Sequence, residues 1–144
     1  MLHAAMTPAR LARELYPLTV YPQWIYWSMS DLSGLLPLPP ATFHILLSLA
    51  DEDRHGYAII QHVAADTDGA VRLSPGTLYR TIQRLLEQVL IVETTERPAP
   101  ELDDERRRYY RLTPRGRTVA RAEASRLAGL VRLARAQGLA PGRP

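Results

Sequence analysis

Ser74-Pro75-Gly76-Thr77-Leu78-Tyr79-Arg80-Thr81-Ile82-Gln83-Arg84-Leu85-Leu86-Glu87 is the stretch on which the fold turns. Ser74 is an N-cap residue, whose side-chain oxygen can accept from an open backbone amide at a helix start. Pro75 follows at the first helical position, where a missing N–H costs nothing. Leu78, Ile82, Leu85 and Leu86 recur at helical spacing and make one apolar face. Thr77, Arg80, Thr81, Gln83 and Arg84 fall on the other side. Arg80 and Arg84 stand one turn apart, so both can enter the same groove. Taken alone, two arginines on a helix usually mean a solvated face; the alternative is contact with guanine edges and phosphate.

Working outward, the pattern upstream predicts two helices. The first begins at Ala41, with Thr42 as N-cap and Phe43, Leu46, Leu47 and Ala50 as its apolar stripe, and stops in Asp51-Glu52-Asp53-Arg54. The second runs from about Gly56 to Ala65 and buries Ile59, Ile60, Val63 and Ala64, with Tyr57 assigned to the core. Asp66-Thr67-Asp68-Gly69 reads as a turn, and Val71-Arg72-Leu73 alternates like a short strand. Downstream, Leu90 to Thr95 is apolar and β-branched and reads as a strand. Arg97 to Asp104, broken by Pro98 and Pro100, reads as a hairpin tip, and Arg106 to Leu112 as the returning strand. Thr113 and Pro114 launch a last helix that reaches about Gln137.

This order predicts a mainly α (α+β) chain: a winged helix-turn-helix with a two-stranded wing and a long C-terminal dimerisation helix. The expected organisation is an N-terminal extension over 1–38, the winged helix over 39–112, and the last helix and tail over 113–144. A body of about 70 residues buries only a modest core, so further burial by dimerisation is expected, with the last helix as its natural surface. Residues 1–38 show no sustained period apart from a possible short helix over Arg10 to Tyr16. Met29-Ser30-Asp31-Leu32 resembles a start, which leaves two readings for 1–28: translated upstream sequence, or an arm that packs through Trp24 and Trp27.

Composition narrows the function. The chain has 144 residues, 46% hydrophobic and 23% charged, the balance of a globular protein rather than a disordered one. It has no cysteine, which removes disulfides, thiolate metal sites and a cysteine nucleophile, and fits a cytoplasmic protein. The net charge of +3 is mild, and every cation apart from histidine is Arg, which a GC-rich genome would also produce. Charge is segregated: Glu93 to Glu105 is mostly acidic, whereas from Arg106 onward Glu123 is the sole acid. Arg106, Arg107 and Arg108 then sit on the wing beside an acidic tip, which must point away from a phosphate backbone or pair with these arginines. No apolar run long enough for a membrane span occurs. Asp51, Glu52, Asp53 and His55 could suggest a cation site, but solvated turn residues account for them better. His44 and His62 are isolated on helices, and no catalytic, metal or cofactor motif is found.

Three motifs in register carry a family resemblance: His55-Gly56-Tyr57, Ser74-Pro75-Gly76-Thr77-Leu78-Tyr79, and Arg106-Arg107-Arg108-Tyr109-Tyr110-Arg111-Leu112-Thr113-Pro114-Arg115-Gly116-Arg117. Over roughly 38 to 135 the chain resembles the PadR family of winged helix transcriptional regulators, in its short-tailed branch. The resemblance implies a homodimeric repressor on a near-palindromic operator in double-stranded DNA, with a small-molecule effector able to change the spacing of the two reading helices. It implies DNA contact by Ser74, Gly76, Thr77, Tyr79, Arg80, Thr81, Gln83, Arg84, Arg106, Arg107 and Arg108. It implies dimerisation through Val119, Glu123, Leu127, Leu130, Val131 and Ala134, with help from the first helix. Tyr79 is divided between a phosphate donor and a packing residue. The family usually has Gly just after the reading helix; this chain has Val89, and a β-branched residue is expected to avoid positive φ there. The competing reading is a winged helix that binds protein instead of DNA, favoured if acids of the wing cover Arg80 and Arg84.

Overall fold

The structure, a computed structural model, describes residues 32, 34–95 and 107–141. The elements run α1 (Pro40–Ser48), β1 (Arg54–His55), α2 (Gly56–Asp66), α3 (Pro75–Glu87), β2 (Ile91–Thr94), β3 (Tyr109–Leu112) and α4 (Pro114–Ala136). The chain is a winged helix. The expected helix over Arg10 to Tyr16, the packing of Trp24 and Trp27, the hairpin tip and Arg106 lie outside the described residues.

The helix starts follow from local chemistry. Ser74 Oγ accepts from Thr77 N at 3.2 Å, and Thr113 Oγ1 accepts from Gly116 N at 2.9 Å, each capping a helix that opens with proline. At α2 the cap is a histidine: His55 Nδ1 accepts from Ala58 N at 3.2 Å. α1 departs from expectation. It begins at Pro40 with Pro39 as N-cap, and Thr42 is buried inside it. Its inward stripe is Thr42, Ile45, Leu46 and Leu49, so Leu47 is 43% exposed. The run Ile45-Leu46-Leu47 is apolar on every side, so periodicity alone could not fix its phase.

Two strand expectations are also corrected. Val71-Arg72-Leu73 forms no strand. The sheet instead gains Arg54–His55, giving antiparallel order β1-β3-β2 with Arg54 opposite Tyr110 and His55 opposite Tyr109. Two polar residues carry no strand signal; β3 recruits them by offering its second edge. In the wing proper, Ile91 pairs with Leu112 and Thr94 with Tyr109. The turn before β1 is held by ions. Arg111 grips Asp53 through Nη2–Oδ2 at 2.8 Å, and Arg54 reaches Asp51, Glu52 and the Ser48 carbonyl, the last at 2.7 Å.

The core gathers Ile45, Leu46, Ile59, Val63, Leu78, Ile82, Leu85, Leu90, Ile91, Leu112 and Val119. Leu38 is buried against it, and Leu32, Leu35 and Leu36 pack partly buried on its edge. The first turns of α4 belong to this core. Val119 is fully enclosed, and Glu123, 2% exposed, accepts from Arg126 Nη2 at 2.6 Å and Nε at 2.9 Å. Those bonds, with one from the Leu38 backbone, hold the Glu123 carboxyl below its usual range against the opposing effect of burial.

Val89 has φ 58, so the expectation that it avoids the left-handed region fails. The reason is tertiary. Val89 N donates to Leu86 O at 3.1 Å and Leu90 N to Leu85 O at 3.0 Å, which is the Schellman helix ending. Outside the helix, Thr113 Oγ1 donates to Val89 O at 2.7 Å and Arg115 Nε to Gln88 O at 3.0 Å. These bonds, with the burial of Leu85 and Leu90, over-determine a conformation that costs a non-glycine residue about 1–2 kcal/mol. Val89→Gly should therefore be more stable than Val89→Ala, by about 1 kcal/mol, the reverse of the ordinary Ala-over-Gly order. Urea midpoints of the two variants check this; an alanine variant that is the more stable of the two counts against a left-handed Val89 in solution.

Candidate nucleic-acid interface

α3 divides cleanly into two faces. Leu78, Ile82 and Leu85 are buried, while Arg80, Gln83 and Arg84 are exposed and Thr77 and Thr81 half-buried. Thr77, Arg80, Thr81 and Arg84 border one shallow groove of about 180 Å³. Arg80 Nε donates to Gly76 O at 3.3 Å, Thr81 Oγ1 to Thr77 O at 2.8 Å, and Gln83 Nε2 to Glu87 Oε1 at 3.3 Å. Among the described residues, neither Arg80 nor Arg84 is paired with a carboxylate, so two guanidinium groups stand on one convex helix face.

The start of α3 leaves fewer open donors than Ser74 alone suggests. The Ser74 hydroxyl is engaged at both ends, accepting from Thr77 N and donating to Thr77 Oγ1 at 3.0 Å. Leu78 N donates to Ser74 O at 2.9 Å, and Pro75 has no N–H, which leaves the Gly76 amide in the first turn. A Cβ added at Gly76 would meet nothing within 4 Å, so the protein's own packing does not require glycine there.

Around this helix the structure brings together groups that the sequence had scattered. Tyr79 is 54% exposed, with the hydroxyl end of its ring close over Gly56. Tyr57, expected in the core, is 62% exposed: it takes the outward side of α2 while Ile59 and Val63 turn inward. Arg107 and Arg108 are exposed at the foot of the wing, where Arg108 Nη1 lies 3.8 Å from Glu93. Tyr110, in contrast, is buried in β3, and burial beside Glu93 pushes its phenol above the ordinary range. The sequence carries no signal for the exposure of Tyr57, because an aromatic next to Ile59 and Ile60 is usually apolar filling. The capping role of His55 directly before it was the available signal that the helix begins there.

The expected dimerisation residues separate into two groups. Val119 and Glu123 are enclosed by the protomer itself, which corrects their assignment to a free surface: Val119 belongs to the core cluster, and Glu123 takes a hydrogen bond from the Leu38 backbone. Further along α4, Leu127 and Ala134 are half-buried, and Leu130 and Val131 are 50% and 42% exposed. These four recur at i, i+3, i+4 and i+7, a continuous stripe on a helix that has left its own core. Leu133, at 65%, broadens it. Among the described residues no group of His, Asp or Glu could hold a metal ion, and no helix is long and apolar enough to cross a membrane.

Comparison with known proteins agrees with the winged helix fold. A family model described as the transcriptional regulator PadR-like family matches residues 45–122. A similar protein is the transcriptional regulator Rv3488 of Mycobacterium tuberculosis, 36% identical over 89 residues, covering 62% of this chain and 77% of that protein. Among solved structures, a PadR family transcription regulator from hypervirulent Clostridium difficile superposes with a TM-score of 0.58 at 22% identity, covering 71% of this chain and 100% of that one. A transcriptional regulator from Clostridium thermocellum gives 0.54 at 23% identity, over 72% of this chain and 93% of that one.

Proposed function

This chain belongs to the PadR-like family of transcriptional regulators, and from that premise we propose that it is a cytoplasmic homodimeric repressor reading a near-palindromic operator with α3. The observation that supports the reading best is the outward face of α3, where, among the described residues, Arg80 and Arg84 pair with no carboxylate and stand beside Thr77 and Thr81. A face of that width and charge suits the major groove, in which an arginine can take both acceptors of a guanine edge. The open space over Gly76 lets a phosphate approach the first turn of α3, where the helix dipole favours an anion.

Two such helices must stand about 34 Å apart to enter successive turns of one duplex face. The apolar stripe of Leu127, Leu130, Val131 and Ala134, exposed at its centre and half-buried at its ends, supplies a self-complementary surface for that pairing. Leu47, turned outward on α1, is a second apolar contributor, consistent with an auxiliary role for the first helix.

Arg84→Ala is expected to weaken binding to a selected duplex by about 1–3 kcal/mol per half-site and to relax preference at one base position. The side chain is exposed, so thermal stability should not move. Selection from a random DNA pool with wild type, followed by fluorescence anisotropy on the variant, measures both. Arg84→Ala with unchanged affinity and base preference removes α3 as the reading element, and a wild-type chain that enriches no sequence favours a protein-binding role instead.

A further inference from the structure

Glu87 closes α3 one turn beyond Gln83, and Gln83 Nε2 donates to its Oε1 at 3.3 Å. We propose that Glu87 is a positioning residue: its carboxylate fixes the Gln83 amide so that this side chain reads an adenine beside the base taken by Arg80 or Arg84. The assignment rests on the reading of α3 as the DNA-facing helix. It adds the identity of one operator base and a residue that acts through another.

The chemistry of the pair decides which way the amide points. A primary amide carries two hydrogens at one end and an acceptor oxygen at the other, whereas an ionised carboxylate only accepts. Glu87 therefore draws Nε2 toward itself and turns the Gln83 oxygen away, because the opposite orientation would set oxygen against oxygen. One Nε2 hydrogen is then engaged. The other hydrogen and the oxygen are left side by side on one edge of the amide. Adenine shows the complementary edge in the major groove, an N7 acceptor next to an N6 amino donor. Guanine shows two acceptors, N7 and O6, and meets the Gln83 oxygen with a repulsion. Without the carboxylate, Gln83 can turn both Nε2 hydrogens toward guanine.

Position supports the same assignment. Gln83, Arg84 and Glu87 are all exposed. At about 100° per residue, Glu87 falls within about 20° of Arg80 around the helix and Gln83 about 60° from it. With a rise of about 1.5 Å per residue, Gln83 stands about 4.5 Å along the axis from Arg80 and about 1.5 Å from Arg84. Bases stack about 3.4 Å apart, so these side chains address the same or adjoining base pairs.

Helix stability does not account for an acid at this place. Glu87 is the last residue of α3, where the helix dipole disfavours negative charge. Among the described residues it forms no ion pair, although Arg84 precedes it by three residues. A carboxylate on a DNA-facing surface also repels phosphate. Both effects count against Glu87, and the contact it does make is the one to Gln83.

The test uses the full chain and the duplex it selects from a random pool, with all four base pairs compared at each operator position by competition. Wild type should prefer adenine over guanine about tenfold at one position per half-site, adjoining the position that Arg84→Ala relaxes. Gln83→Ala should level that position. Glu87→Gln should reduce the preference to about threefold and raise affinity for all duplexes alike, because a charge that repels phosphate is gone. Glu87→Asp keeps the charge but is one methylene shorter, and should relax the same position. In the Gln83→Ala background, Glu87→Gln should change no base preference. These side chains are exposed, so circular dichroism should match wild type throughout. Full adenine preference in Glu87→Gln overturns the assignment, as does a wild type that prefers another base there. A cytosine preference that survives Gln83→Ala but not Glu87→Gln would make the carboxylate itself the reader, and also overturns it. If Arg84→Ala relaxes its position while the Gln83 and Glu87 variants change none, α3 still reads DNA and only this assignment fails. If wild type enriches no sequence, the DNA-reading role fails and the assignment with it.

Discussion

Gly116→Ala is expected to destabilise the chain by about 3 kcal/mol, at the upper end of overpacking, and to lower its melting temperature by about 10 °C or more. Gly116 sits in the first turn of α4, where a Cβ would fall on the Leu90 carbonyl oxygen, 2.9 Å from the Leu90 carbonyl carbon and 2.8 Å from Leu112 Cδ1. Two of these atoms are backbone and cannot step aside. They are also committed elsewhere, since Leu90 O accepts from Thr113 N at 3.1 Å. α4 therefore begins as a clasp on the end of α3. Thr113 holds the Val89 carbonyl, Arg115 the Gln88 carbonyl, and Gly116 lets the two backbones touch. Spreading this junction should also disturb DNA binding, because the orientation of α3 relative to α4 sets where a dimer places its second reading helix. Gly129→Ala is the internal comparison: its Cβ would meet only the Arg132 guanidinium, at 3.6 Å, so it should gain about 0.5–1 kcal/mol of helix propensity. Scanning calorimetry on the two variants decides the matter. A Gly116→Ala chain that melts with wild type would mean that α4 does not seat on Leu90.

Leu127→Asp with Leu130→Asp should convert a dimer to a monomer and reduce operator affinity at least about 100-fold, because bivalent engagement is lost. Within the protomer the cost is small: Leu130 is half exposed and Leu127 only partly covered, so each aspartate keeps access to water in the monomer. In a dimer the same aspartates would face their symmetry mates across an apolar seam, and removing an unpaired charge from water costs about 3–5 kcal/mol. Dimerisation and DNA binding should fall together while circular dichroism and melting of the monomer remain. Sedimentation at low concentration and anisotropy on the selected duplex provide the two readouts. A double variant that stays dimeric moves the interface elsewhere, and one that is monomeric with wild-type affinity shows that pairing does not matter for binding.

Local signals announced most of the elements. The Ser-Pro and Thr-Pro openings of α3 and α4 are caps that act within four residues, and both helices start where those pairs stand. The division of α3 into a leucine face and an arginine face follows from its 3.6-residue period, and the structure keeps it. Three motifs at the right distances sufficed for the family.

What the linear chain could not decide was every choice made by a neighbour. The phase of α1 was ambiguous because three apolar residues in a row fit any rotation, and packing against α2, α3 and α4 selected Ile45 and Leu46 over Leu47. Arg54–His55 became a strand only because β3 had an unpaired edge beside them. Val89 was held left-handed by Thr113 across 24 residues of chain, a constraint that no local propensity contains. Val119 and Glu123 were claimed by the protomer core, which left the second half of α4 as the free surface. Periods, caps and turns are short-range forces written residue by residue. Which face is buried, which strain is tolerated and which cations meet depend on contacts between distant segments, and those exist only once the chain has folded.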